Sequence, residues 1–223
     1  LELGAKIKLE KPDRLSEASF CGMIFDENVL DNVCDPMESL LSYGYTTRQY
    51  RFSNRQAHDE LLRAKSLSLL YQYPGCPILK NLALFGLRCT QHVSIDDMKT
   101  RMSKSNICQY ERDEWLEASS FYKDNNIFDR EIHPLTRLLV ERKFQIPVNL
   151  QIQVEEYLDN LKELQPLYIP ELLPYAPPDA VDFYHRFGVD MERPKTNQDF
   201  DFFHVQTAKK IKVFSNRLLF TMQ

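Results

Sequence analysis

Near residue 50 the apolar pattern of this 223-residue chain changes period, and that change limits the folds open to it. Before it the spacing is two. Leu3, Ala5, Ile7 and Leu9 alternate with Gly4, Lys6 and Lys8, as a half-buried strand requires. Ser19 to Phe25 and Val29 to Val33 read as two further short strands around the polar turn Asp26-Glu27-Asn28, a β-hairpin. Asp35 and Pro36 then open a helix, with an acceptor at the cap, proline at the first helical position, and Met37, Leu40 and Leu41 on one face.

After Arg51 the spacing turns helical. A helix capped by Ser53 or Asn54 is expected to run through Leu61, Leu62 and Leu69 to Tyr73, where Tyr73-Pro74-Gly75-Cys76-Pro77 interrupts it. Pro77 can start the next helix, Ile78 to Arg88. Ser94-Ile95-Asp96-Asp97 matches the Ser-x-x-acid start of another, and further helices are predicted at Glu111 to Tyr122, Asp129 to Lys143 and Val148 to Leu161. From Leu164 six prolines predict mainly irregular chain, with a short helix within Phe203 to Phe220. The expected fold class is α+β, an N-terminal strand and hairpin followed by a mainly helical region. The expected divisions are residues 1–50, 51–165 and 166–223.

Composition narrows the function classes. Six glycines against twelve prolines leave no Gly-rich phosphate loop or dinucleotide fingerprint. No apolar run approaches the ~20 residues of a membrane-spanning helix. The five cysteines form no Cys-x-x-Cys pair, which is the pattern of reduced, mostly buried thiols in a cytosol-like compartment. His58, His92, His133, His185 and His204 never fall at metal-ligand spacing. Charge is uneven: Arg48 to Tyr110 holds ten basic residues and four acidic ones, inside a chain of net charge −4. Such a block is either a set of solvated helix faces or a surface for phosphate. Trp115, the sole tryptophan, reads as a core or rim anchor.

Three stretches carry a family likeness: Leu3-Gly4-Ala5-Lys6-Ile7-Lys8-Leu9-Glu10, the run Glu17 to Asp26 containing Phe20-Cys21-Gly22, and Asp35 to Gly44. Together they resemble the part that follows the Gly-Asp-Asp motif in RNA-directed RNA polymerases of positive-strand RNA viruses, nodavirus-like or related. The likeness continues through Leu61 to Leu79 and, more weakly, Leu138 to Pro147 with Gln153 and Glu155-Glu156-Tyr157, so it spans roughly residues 1 to 160. It implies that the first segment is similar to polymerase motif D, that the Phe20-Cys21-Gly22 hairpin is similar to motif E, and that the following helices resemble the thumb. Residues 1–50 would end the palm, 51–165 would form the thumb, and 166–223 a Pro-containing extension packed on it.

Roles follow from that resemblance. Nucleotide addition breaks an α–β phosphate bond, so a lysine beside the leaving pyrophosphate can donate a proton; Lys6, Lys8 and Lys11 are the candidates, one of the three. Phe20, Cys21 and Gly22 would abut the primer terminus, a thiol and a bare glycine permitting close approach. Arg48, Arg51, Arg55, Arg63 and Lys65 would contact RNA phosphates, reading shape rather than sequence. Gly75, Cys76 and Pro77 read as a structural turn. The chain has no Gly-Asp-Asp, and its acidic pairs Asp96-Asp97 and Glu155-Glu156 sit on predicted helices. The Mg²⁺ or Mn²⁺ of two-metal catalysis would be held upstream of Leu1, in the palm that also binds nucleoside triphosphates. The opening residues read like the middle of a domain, so the chain is expected to be a piece of a longer enzyme, inactive alone. Its partners would be template and product RNA, not DNA, and the upstream fingers and palm, at replication sites in the host cytoplasm.

Two other classes compete. One is a helical interaction or scaffold protein without catalytic residues. The other is an independent single-strand RNA binder, for which aromatics among the basic residues are few beyond Tyr45, Tyr50 and Phe52.

Overall fold

The computed structural model describes residues 12–45, 50, 52–104, 108–124, 130–165, 167, 169–176 and 181. The chain divides into two compact units, residues 1–45 with 53–175 and residues 46–52 with 176–223. In the second unit Tyr50, Phe52, Ala176 and Val181 are the described residues. The strand expected at Leu3 to Leu9 and the helix expected within Phe203 to Phe220 lie outside the described residues.

The first unit is α+β. A 3-10 turn at Leu15–Glu17 leads into strands β1 (Ser19–Phe20), β2 (Met23–Asp26) and β3 (Asp31–Val33), joined antiparallel in the order β1-β2-β3. The registers Phe20↔Met23 and Ile24↔Val33 make it a meander of two hairpins. The run read as one strand, Ser19 to Phe25, is therefore two. Cys21 and Gly22 break it, with φ of 51° and 80°. Positive φ at both central residues suits a two-residue turn to the right-handed twist of its strands. Cysteine is an uncommon residue there, which is why the turn does not announce itself in the sequence.

The second turn falls at Glu27–Leu30, later than expected, because Asp26 remains in the ladder opposite Asp31. Ile24 and Asp26 are the buried positions of β2, so a carboxylate occupies a core site. That burial is compensated: Asp26 Oδ2 accepts from Thr136 Oγ1 at 2.7 Å, and Oδ1 accepts from the Asn28 backbone N–H and side-chain amide, each at 3.0 Å.

Seven α-helices follow among the described residues: α1 (Pro36–Ser42), α2 (Arg55–Gln72), α3 (Leu79–Cys89), α4 (Ile95–Lys104), α5 (Gln109–Asp124), α6 (Pro134–Phe144) and α7 (Val148–Asn160), with a 3-10 turn at Pro170–Tyr175. Their starts obey local chemistry. The Asp35 carboxylate accepts from Met37 N–H at 2.9 Å, Asn54 Oδ1 from Ala57 N–H at 2.9 Å, and Ser94 Oγ from Asp97 N–H at 3.0 Å while donating to the Asp97 carboxylate. α2 has no glycine, proline or β-branched residue, so nothing interrupts it before Tyr73, where Pro74 disfavours helical geometry in the residue ahead of it. α3 begins at Leu79 rather than Ile78, because Ile78 has φ 66° and serves as its N-cap.

α2 is the hub, packing most extensively on α3 and then on α5 and α4, while α7 covers the far side of α3 and pairs with α6. A core cluster joins Ala64, Leu67 and Leu70 of α2 to Ala83 and Leu87 of α3, Met98 of α4 and Trp115 of α5. Trp115 is thus a core residue. Beside this cluster, along the same α2–α3 contact, the Tyr43 and Ser66 hydroxyls meet at 2.6 Å against Gly86 of α3.

Candidate functional site at the hairpin tip

The β1–β2 turn stands at the edge of a groove of about 450 Å³, all of it within the first unit. The hairpin tip, Cys21-Gly22, makes one wall, the start of α1 with Asp35 and Glu38 another, and the end of α2 with Tyr73 a third. Ile24, Leu69 and Phe144 give it an apolar lining. The tip itself projects: Phe20 is 75% exposed and Cys21 is exposed. Gly22 has nothing within 4 Å of where a Cβ would stand. Among the described residues its requirement is therefore the backbone angle of the turn.

Cys34, just past Val33 and so level with the β1–β2 turn, is a groove residue that the sequence did not single out. Burial pushes its thiol up to about 11, Asp35 and Glu38 push the same way, and a hydrogen bond with Tyr73 pulls against them. Asp35 is raised as well, through burial, with the Met37 N–H opposing. A thiol held protonated is a poor nucleophile, so Cys34 reacts slowly at neutral pH. Alkylation of Cys34 by iodoacetamide, followed by mass spectrometry, should still be accelerating above pH 9 and level off near pH 11. A plateau below pH 9 would show that the thiol is not held in this way. Because folding raises this pKa from 9.0, the stabilisation it reflects is present below that pH and is lost as pH rises toward 11.

The expected site residues part company in space. Lys6, Lys8, Lys11, Arg48 and Arg51 lie outside the described residues. Arg55, at the first position of α2, has a side chain 93% exposed and 3.7 Å from Asp59. Lys65 is exposed but tied to α1: its ammonium donates to the Ser42 carbonyl at 3.2 Å and lies 5.7 Å from the Tyr43 ring centre. Surrounding protein lowers its pKa while Glu38 acts the other way. Arg63 corrects the expectation of an outward phosphate contact. It is buried, donating from Nη1 to the Thr90 carbonyl at 2.9 Å and the Leu87 carbonyl at 3.3 Å, so it satisfies the exposed carbonyl end of α3.

The same use of charge recurs across the basic block. Lys80 is buried and donates to the Arg130 carbonyl, and Arg88 donates to the Leu158 carbonyl at 2.7 Å at the end of α7. Part of the block therefore closes helix ends and internal carbonyls instead of forming a continuous cationic stripe. One member of each acidic pair is likewise committed. Asp97 belongs to the α4 cap, and Glu155 is paired with Arg137. Among the described residues no group of three or more His, Cys, Asp or Glu side chains could hold a metal ion. None of the described helices is long and apolar enough to cross a membrane.

No protein-family model, no curated protein and no solved structure matches this chain.

Proposed function

We propose that the chain is the end of the palm and the thumb of a viral RNA-directed RNA polymerase, with the β1–β2 hairpin gripping the growing RNA end and the helical layer flanking the product. The observation that carries the reading is the projecting tip, where exposed Phe20 sits beside a groove at the junction of a small antiparallel sheet and a helical layer. The likeness over roughly residues 1 to 160 supplies the class of reaction. In the full-length enzyme Mg²⁺ or Mn²⁺ and the nucleoside triphosphate would be held by the upstream palm, and one of Lys6, Lys8 or Lys11 would serve the leaving pyrophosphate. This chain's part is to position RNA.

The test is binding of the 223-residue chain to a fluorescent self-priming RNA hairpin across a salt series. Affinity should fall linearly on a log–log plot of binding against salt. Phe20→Ala should weaken it by about tenfold, the scale of one lost aromatic stacking contact. Because Phe20 is already exposed, circular dichroism should show the fold unchanged. Absence of binding at low salt would overturn the reading.

One observation favours a second reading. Arg63 and Lys80 are spent inside the protein and Arg88 closes α7, a use of basic residues that suits a helical interaction protein as well as an RNA binder. That alternative predicts salt-insensitive behaviour and no effect of Phe20→Ala on RNA.

A further inference from the structure

Among the described residues four non-glycines have positive φ: Cys21, Leu30, Ile78 and Gln145. Cys21 and Leu30 lie in the turns of the sheet and Gln145 follows the end of α6, all places where a left-handed residue is ordinary. Ile78 differs. It is β-branched, fully buried, and stands at φ 66° and ψ −49° ahead of α3, with no side-chain cap. A backbone of this kind persists only where its surroundings hold it.

The holding groups come from far along the chain. Ile78 N–H donates to Glu155 Oε1 at 2.9 Å. The same oxygen accepts from Arg137 Nη1 at 2.9 Å, and Oε2 accepts from Nη2 at 2.7 Å. On the opposite flank Gly75 packs so closely on the Asp31 carboxylate that no Cβ would fit, and Asp31 is bound by Arg130 Nη2 at 2.6 Å. The segment from Arg130 to Arg137 therefore braces both sides of the knuckle, with one arginine for each carboxylate. Between them Cys76 is fully buried, its Sγ 3.6 Å from the Pro77 carbonyl.

We propose that Tyr73 to Ile78 is a latched hinge, held in its strained form by the Glu155 carboxylate and the strap from Arg130 to Arg137, and that it opens as a unit while α2 stays folded. Opening returns Ile78 to negative φ, which offsets part of what the latch loses and brings the open form nearer in free energy than the unfolded chain. Opening frees the Glu155 carboxylate from both Ile78 and Arg137, and because Tyr73 walls the groove and Glu155 belongs to α7, the hinge lets α7 shift against the groove without unfolding the core.

The experiment compares two probes on the full chain. Labelling of Cys76 by iodoacetamide, read by mass spectrometry, reports the knuckle; amide hydrogen exchange at Leu67 to Leu70 reports global unfolding. In the unaltered protein Cys76 labelling should depend little on urea while the α2 amides show the full dependence. Met98→Ala removes a core contact that survives in the open form. It should speed α2 exchange by at least about tenfold and leave Cys76 within about twofold. Glu155→Gln keeps an acceptor for Ile78 N–H but loses the charge pair, and both the open and unfolded states lack that pair anyway. It should speed both probes by the same factor, about tenfold. The proposal is overturned if Cys76 labelling follows urea as steeply as α2 exchange does. It is equally overturned if Met98→Ala speeds both probes alike, or if Glu155→Gln leaves Cys76 unmoved.

Discussion

Gly86→Ala is expected to be among the most damaging single-methyl additions to this fold. A Cβ at that point of α3 would stand inside contact distance of both the Tyr43 and Ser66 hydroxyls, with the Tyr43 Cζ 3.0 Å away. Neither neighbour can yield cheaply. Ser66 Oγ is held to the Leu62 carbonyl at 2.6 Å within α2, and Tyr43 is buried where the chain leaves α1. Burial also raises the Tyr43 phenol well above its usual pKa, the mark of a hydroxyl with little water about it. Overpacking together with loss of the buried hydroxyl pair should cost about 3 kcal/mol in urea unfolding and lower Tm by roughly 10 °C. Tyr43→Phe added to Gly86→Ala should recover part of the loss, since the hydroxyl is the first obstacle. If Gly86→Ala unfolds within about 0.5 kcal/mol of the unaltered protein, the three elements are not packed as described.

Arg137→Ala should be at least as costly, for a different reason. The Glu155 side chain is 9% exposed and Arg137 contacts both of its oxygens, so truncation leaves a buried carboxylate with the Ile78 N–H and little else among its described partners. Uncompensated buried charges of this kind cost about 3–5 kcal/mol. The pair itself contributes less than its breakage costs, because both charges were taken out of water to form it. Hence Arg137→Met combined with Glu155→Gln should be clearly more stable than Arg137→Ala alone: no charge remains buried, and the glutamine oxygen still accepts from Ile78. A double variant no more stable than the single one would mean that the arginine acts through packing rather than charge.

Local signals were legible wherever a few neighbouring residues decide the outcome. Asp35-Pro36, Asn54 and Ser94-x-x-Asp97 each start a helix through bonds that span at most three residues, and each start is found where the sequence places it. The divided strand was not legible. Cys21 carries none of the usual marks of a tight turn, and the apolar run around it satisfies a strand equally well. Asp26 misled in the opposite direction, since a carboxylate ahead of Glu27 and Asn28 looks like the beginning of a turn. It remains in the sheet because Thr136, 110 residues away, supplies a donor. The groove was legible only in part: Phe20, Cys21 and Gly22 were expected as site residues, but within a strand rather than at a tip, and Cys34, Asp35, Glu38 and Tyr73 come together through packing.

The sequence by itself determined the α+β class, the capped starts of α1, α2 and α4 and the turn between α2 and α3, because backbone propensity and capping act over a few residues; α6, expected from Asp129, begins only at Pro134, where His133 caps it. Tertiary structure alone decided what the charges do. Arg63 and Lys65 lie two residues apart on α2 and so about 200° apart around it, one turned into the interior to close α3 and the other out to α1. Glu155 looks like a solvated helix residue until Ile78 and Arg137 are folded against it. Whether a charged side chain faces water, a phosphate or a buried carbonyl depends on which distant backbone groups lack partners, and those are known only once the helices are packed.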